Sequence, residues 1–293
     1  MTERAREHGI LVAVDGSPES DAAVRWAAQE AELRDLPITA VHVVVPVVVS
    51  WPVRSMQVEF NEWQEDNART VIEHALRMLR SSRAEADEDS IGTKVLHGYA
   101  VPALVDASKD AQMIVVGSRG MGAFGRAVLG SVSSGLAHHA RCPVAIIHRD
   151  EAQSIDKTSP VLLGIDGSPA SEKATAFAFE EASRRGVELV ALHAWSDVGV
   201  FPIVGMDWHK FEDEGHEILG ERLAGWQEQF PDVVVRRRIV CDRPARWLID
   251  ESKQAQLVVV GSRGRGGFAG LLLGSVSTAV AESAKAPVIV VRD

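Results

Sequence analysis

Three short polar blocks carry residue types capable of chemistry, and each occurs twice in the chain. Asp15-Gly-Ser-Pro18 returns as Asp166-Gly-Ser-Pro169, Gly117-Ser-Arg-Gly120 as Gly261-Ser-Arg-Gly264, and Gly130-Ser-Val-Ser133 as Gly274-Ser-Val-Ser277. Glycines such as Gly117, Gly120 and Gly130 let backbone N–H groups approach an anion without obstruction by a Cβ. Ser131 and Ser133, with Ser275 and Ser277, then open a helix whose free N–H groups and partial positive end suit phosphate oxygens. Arg119 and Arg126 in the first copy, and Arg263 and Arg265 in the second, add positive charge to an acidic protein. Asp15 and Asp166 are badly suited to touch a phosphate. They suit a ribose hydroxyl or a metal ion, such as magnesium, that bridges phosphates. Taken together, the blocks describe a phosphate cradle with one carboxylate beside it.

Other chemistry finds less support. No nucleophile–base pair and no paired carboxylate recurs in both copies. Gly120-Met-Gly-Ala-Phe-Gly125 matches the dinucleotide fingerprint by chance. It follows the fourth strand and not the first, the second copy has Ala269 at the last glycine, and no acidic residue lies about twenty positions on. The P-loop pattern is absent. His42 and His193 recur near the end of the second strand and read as core or rim residues. The His138-His139 pair has Glu282-Ser283 as its counterpart and reads as a solvated helix face. Scattered tryptophans and the unrelated positions of Cys142 and Cys241 give neither a base-stacking array, a disulfide framework nor a metal site.

The elements that must position these blocks follow from the repeat. Early blocks recur at an offset of 151 and late blocks at 144, so a net deletion of seven residues falls between the second and fourth strands. The Pro102 and Pro244 segments require a further small gap to align. In the first half, strands are expected over residues 10–15, 38–45, 93–97, 113–117 and 143–148. Helices are expected from Ser17 as N-cap and Pro18 as first residue, and over 59–83, 102–109 and 130–140. The strands are near-continuous runs of Val, Ile and Leu, the mark of a parallel sheet covered on both faces. The fold class is therefore α/β, with two tandem, doubly wound, five-stranded parallel-sheet domains over residues 1–150 and 158–293 and a linker at 149–159. Ligands of such sheets bind beyond the carboxyl ends of the strands where the winding reverses. Both polar blocks fall at such ends, and would face each other if the first and fourth strands are neighbours.

Bulk properties set the class of partner. The 293 residues carry a net charge of −10, with 46% hydrophobic and 25% charged residues. That charge disfavours a broad grip on nucleic acid or an anionic membrane. The apolar run at residues 41–49 is too short to span a bilayer and the charged start lacks a signal-peptide core, so a cytoplasmic protein is expected.

At the level of motif, the sequence resembles the universal stress protein family in its tandem form. That family's ATP-binding pattern is Gly, two residues, Gly, nine residues, Gly, then Ser or Thr. Gly117, Gly120, Gly130 and Ser131 meet it, as do Gly261, Gly264, Gly274 and Ser275. The resemblance implies one ATP per domain, with Asp15 and Asp166 near the ribose and metal and the backbone of Val43 and Ala194 reading adenine. The stretches Gly130-Ser131-Val132-Ser133 and Gly274-Ser275-Val276-Ser277 would hold the phosphates. It also implies pairing of the last strands, residues 144–148 against 288–291, within one chain or in a homodimer. The function implied is a nucleotide-loaded regulatory module of the stress response. The alternatives are a slow ATP hydrolase or an adenylating enzyme, whose His-Ile-Gly-His and Ser-Gly-Gly-x-Asp-Ser motifs are absent, and a flavin or nicotinamide protein, whose fingerprint is missing after the first strand.

Overall fold

Four consecutive apolar residues, bounded by Gly9 at φ 54° and the Asp15-Gly16 turn, make the strand around which the first unit is built. In the computed structural model, residues 8–46, 54–82, 90–120, 129–148, 156–194, 208–264 and 273–292 are described. The chain divides into two units, Met1–Arg149 and Asp150–Asp293. The first contains β1 (Ile10–Ala13), α1 (Pro18–Leu33), β2 (Ile38–Val44), α2 (Arg54–Ser82), β3 (Ile91–His97), α3 (Ala100–Ala107), β4 (Met113–Gly117), α4 (Ser131–His139) and β5 (Val144–Ile147). The second repeats the order with β6 (Val161–Gly164), α5 (Pro169–Arg185), β7 (Leu189–Ala194), α6 (Trp208–Gln229), β8 (Val235–Val240), α7 (Pro244–Glu251), β9 (Leu257–Gly261), α8 (Ser275–Ser283) and β10 (Val288–Val291).

Within the first unit the strands run in the order β3-β2-β1-β4-β5, and within the second β8-β7-β6-β9-β10. All pairings inside each unit are parallel. Val12 lies between Ala40 and Val115, and Leu163 between Ala191 and Val259. The first and fourth strands are thus neighbours in each unit, and the winding reverses between them. Both faces of β1, β4 and β5 are buried, which explains their unbroken apolar sequence. Edge strands β3 and β8 keep exposed residues, including Lys94 and the run Arg236-Arg237-Arg238.

Helix α1 begins as the sequence dictates. Ser17 accepts a hydrogen bond from the Ser20 N–H at 3.2 Å, and Pro18 occupies the first turn. Ser168 caps α5 in the same way, with the Ser171 N–H at 3.3 Å. Ala22, Ala23, Ala27 and Ala31 are buried, while Trp26 is only half-buried. Two charged residues join that interior unannounced. Glu30 is 1% exposed and pairs with Arg34 at 2.5 Å, and its repeat Glu181 is fully buried against Arg185 at 2.6 Å.

Two expectations are corrected. No additional gap separates the Pro102 and Pro244 segments, because β3 and β8, and α3 and α7, start at the same offset of 144. Proline simply occupies different positions in the first turn of the two helices, where its missing N–H would have no intrahelical partner. Helix α2 also begins at Arg54, five residues before its expected start. Its buried Ala68 and Ile72 and the buried Leu219 and Leu223 of α6 keep the 151 offset. The seven-residue difference therefore lies between α2 and β3.

Candidate nucleotide-binding site

The turn after β1 places Asp15 by a local bond: its Oδ1 accepts the Ser17 N–H at 2.9 Å, and Asp166 Oδ1 accepts that of Ser168 at the same distance. Gly16 and Gly167 take φ of 82° and 77°, a left-handed conformation that tightens the turn. From the neighbouring strand β4, the loop brings Gly120 against the same carboxylate. A Cβ built on Gly120 would overlap Asp15 Oδ2, and one on Gly264 would overlap Asp166 Oδ2. The two repeated blocks thus meet across the switch point in both units, and glycine is required where they meet.

Gly117 has a different neighbour. A Cβ there would stand 2.8 Å from the backbone carbon of Glu19, and one on Gly261 would stand 2.8 Å from that of Ala170. These glycines let the first turn of α1 and α5 seat on the fourth strand of its own sheet. Gly117→Val and Gly261→Val are each expected to lose about 3 kcal/mol of stability by overpacking against backbone, read as a lower denaturation midpoint in urea.

Helix α4 opens without a side-chain cap, since its N-cap is Gly130, and α8 does the same at Gly274. That contrasts with the serine caps of α1 and α5. Uncapped N–H groups of residues 131–133 and 275–277, with the helix dipole behind them, form a place for negative charge. Ser131 and Ser275 are exposed at that end, Val132 and Val276 are half-buried, and Ser133 and Ser277 are buried. The Ser133 hydroxyl donates to the Ser118 carbonyl at 2.9 Å, and that of Ser277 to the Gly261 carbonyl at 2.6 Å, closing the base of each loop. The Gly130 N–H also donates to the Ser118 carbonyl at 2.8 Å. Beside these, the Ser118 Oγ is buried with no hydrogen-bond partner among the described residues.

Around the crevice, Arg119 reaches Glu19 of α1 at 3.4 Å, an acidic neighbour the sequence reading passed over. In the second unit the Arg263 carbonyl accepts the Ser168 hydroxyl at 3.3 Å. Val43 is half-buried and pairs with Leu96, and Ala194 is buried and pairs with Val240, both near the carboxyl ends of their strands. His42 Nδ1–H donates to the Val14 carbonyl at 2.7 Å and His193 Nδ1–H to that of Ile165 at 2.8 Å. Each ring ties the second strand to the residue before the site aspartate, the work of a rim residue. His138 bonds the Ser134 carbonyl at 2.7 Å within its own helix. Arg126, Arg265 and the chance fingerprint residues Gly122, Gly125 and Ala269 lie outside the described residues.

Among the described residues no group of three or more His, Cys, Asp or Glu could hold a metal ion. A magnesium ion would meet the site aspartate of each unit with Oδ1 already accepting a backbone N–H, so phosphate oxygens and water would have to supply most ligands. No helix among the described residues is long and apolar enough to cross a membrane.

Strand order, the aspartate at the reversal and the helix start that no side chain caps define a doubly wound α/β domain, present twice. The chain belongs to the universal stress protein family, whose model matches residues 8–148 and again 157–292. It is 57% identical over 292 residues to a universal stress protein of Mycolicibacterium smegmatis, covering 100% of this chain and 99% of that protein. Identity to a universal stress protein of Mycobacterium tuberculosis H37Rv is 51% over 293 residues, again covering 100% and 99%. The crystal structure of a universal stress protein from Archaeoglobus fulgidus has the same fold, with a TM-score of 0.72, 21% identity and 99% of each chain covered.

Proposed function

We propose that each unit binds one adenine nucleotide, ATP with magnesium carried on its phosphates, and that the chain is a cytoplasmic, nucleotide-loaded regulatory module of the stress response. The observation that carries this reading is the meeting of Asp15 with Gly120, and of Asp166 with Gly264, beside a helix start that no side chain caps. The N–H groups at the start of α4 and α8 would hold phosphate oxygens, and the Ser131 and Ser275 hydroxyls would add to them. Ser133 and Ser277 act chiefly by fixing the loop, since their hydroxyls donate to backbone carbonyls. The partnerless Ser118 Oγ is a donor at the base of the same cradle. Asp15 and Asp166 would take a ribose hydroxyl or share the magnesium ion. The backbone of Val43 and Ala194 would read adenine.

A binding role is favoured over fast catalysis because neither site offers a base–nucleophile pair among the described residues, and the Glu19 carboxylate beside the first site is already paired with Arg119. Incubation with labelled ATP is expected to return it as ATP, with turnover far below the enzymatic median of about 10 s⁻¹. Turnover in that range, abolished by Asp15→Ala with Asp166→Ala, would make the protein a hydrolase instead.

A further inference from the structure

The two crevices share their backbone but not their charges. Glu19, seated over Gly117, brings a carboxylate to the wall of the first site and pairs with Arg119 at 3.4 Å. Its repeat position is Ala170, seated over Gly261 in the same way, so the second site lacks that carboxylate. Gly16 faces a methyl group of Val71 in α2, 3.2 Å from where its Cβ would be. The repeat of Val71 is Arg222 in α6, and its guanidinium lies against Gly167, the residue next to Asp166. The first site therefore has an extra negative charge, seated over Gly117, and the second an extra positive one, against Gly167.

We propose that the two sites are specialised by charge, the second being the tight polyphosphate site and the first the weaker, readily exchanging one. Glu19 and Arg222 set the difference. The inference rests on the reading of both crevices as adenine-nucleotide sites. A triphosphate carries the negative charge that Glu19 repels and Arg222 attracts, whereas a monophosphate carries less of it. The inequality must then grow with the number of phosphates and shrink as salt screens the charges. Under this scheme the second unit stays loaded while the first reports the nucleotide supply.

The test uses the full chain with one site closed at a time: Gly264→Val leaves the first site and Gly120→Val the second, each titrated with ATP and with AMP by calorimetry. The second site is expected to bind ATP about tenfold more tightly than the first, with the ratio for AMP falling to about threefold or less. Glu19→Ala should tighten the first site, Arg222→Val should weaken the second, and about 0.5 M salt should narrow the gap. If either valine variant fails to fold, the wild-type chain serves. Its ATP isotherm should resolve two affinities that merge when Glu19→Ala and Arg222→Val are combined. Equal ATP affinities, or a difference untouched by both substitutions, would overturn the inference and leave nucleotide binding standing. Absence of any ATP or AMP binding by the wild-type chain would overturn the nucleotide reading itself, and this inference with it.

Discussion

Gly120→Val is expected to remove one bound nucleotide per chain, Gly264→Val the other, and the double variant both. The Cβ of any larger residue at these positions overlaps the carboxylate of Asp15 or Asp166, so the aspartate or the loop must move. Valine adds two methyl groups to that collision. Neither residue belongs to a strand or helix, and the fourth strand ends three residues earlier, so the sheet can form without them. The expected result is an affinity at the altered site lower by at least about a hundredfold, or about 2.8 kcal/mol. Equilibrium dialysis with labelled ATP would read it as stoichiometry, with circular dichroism unchanged. Unchanged stoichiometry in both single variants would mean that nucleotide binds elsewhere.

The largest expected loss of stability comes from breaking an ion pair in α1 or α5. Glu30 and Glu181 are almost wholly buried, and each is held by an arginine one helical turn on. Arg34→Ala removes the arginine that holds a buried carboxylate at 2.5 Å, which is expected to cost about 3 kcal/mol. At about 2–4 °C per kcal/mol for a domain of this size, the thermal midpoint of the first unit should fall by near 10 °C. Arg185→Ala should cost less in the second, because Arg184 also reaches Glu181 at 3.7 Å. Replacing both partners by methionine should cost far less than removing the arginine alone, because the buried charge is then removed with its partner. A double variant as unstable as Arg34→Ala would assign the loss to packing and not to charge.

Much of this architecture was legible beforehand, and the reasons are local. Residues 113–117 were placed to the residue because an unbroken apolar run ends in Gly117-Ser-Arg-Gly120. Helix α1 was fixed at its start by Ser17 and Pro18. The start of α2 lies five residues before the expected one because Arg54-Ser-Met-Gln-Val58 shows no clear apolar stripe in sequence. Glu30 and Arg34 are visible in sequence as an i, i+4 pair, but such pairs are ordinarily exposed, and only packing decides that this one is interior. The role of Gly117 was read as access for an anion. Its missing Cβ also faces the Glu19 backbone, a contact between β4 and α1 that no spacing in the sequence announces. Arg222 escaped notice because it lies far along the chain from every polar block and stands out only when α6 is set beside α2 at the repeat offset.

The most direct test is calorimetric titration of the full chain with Mg-ATP. Saturable binding of about two ATP per chain is expected, since the meeting of aspartate, glycine loop and open helix occurs once in each unit. A flat titration, with no adenine nucleotide released on denaturing the protein as purified, would contradict nucleotide binding and leave only the fold.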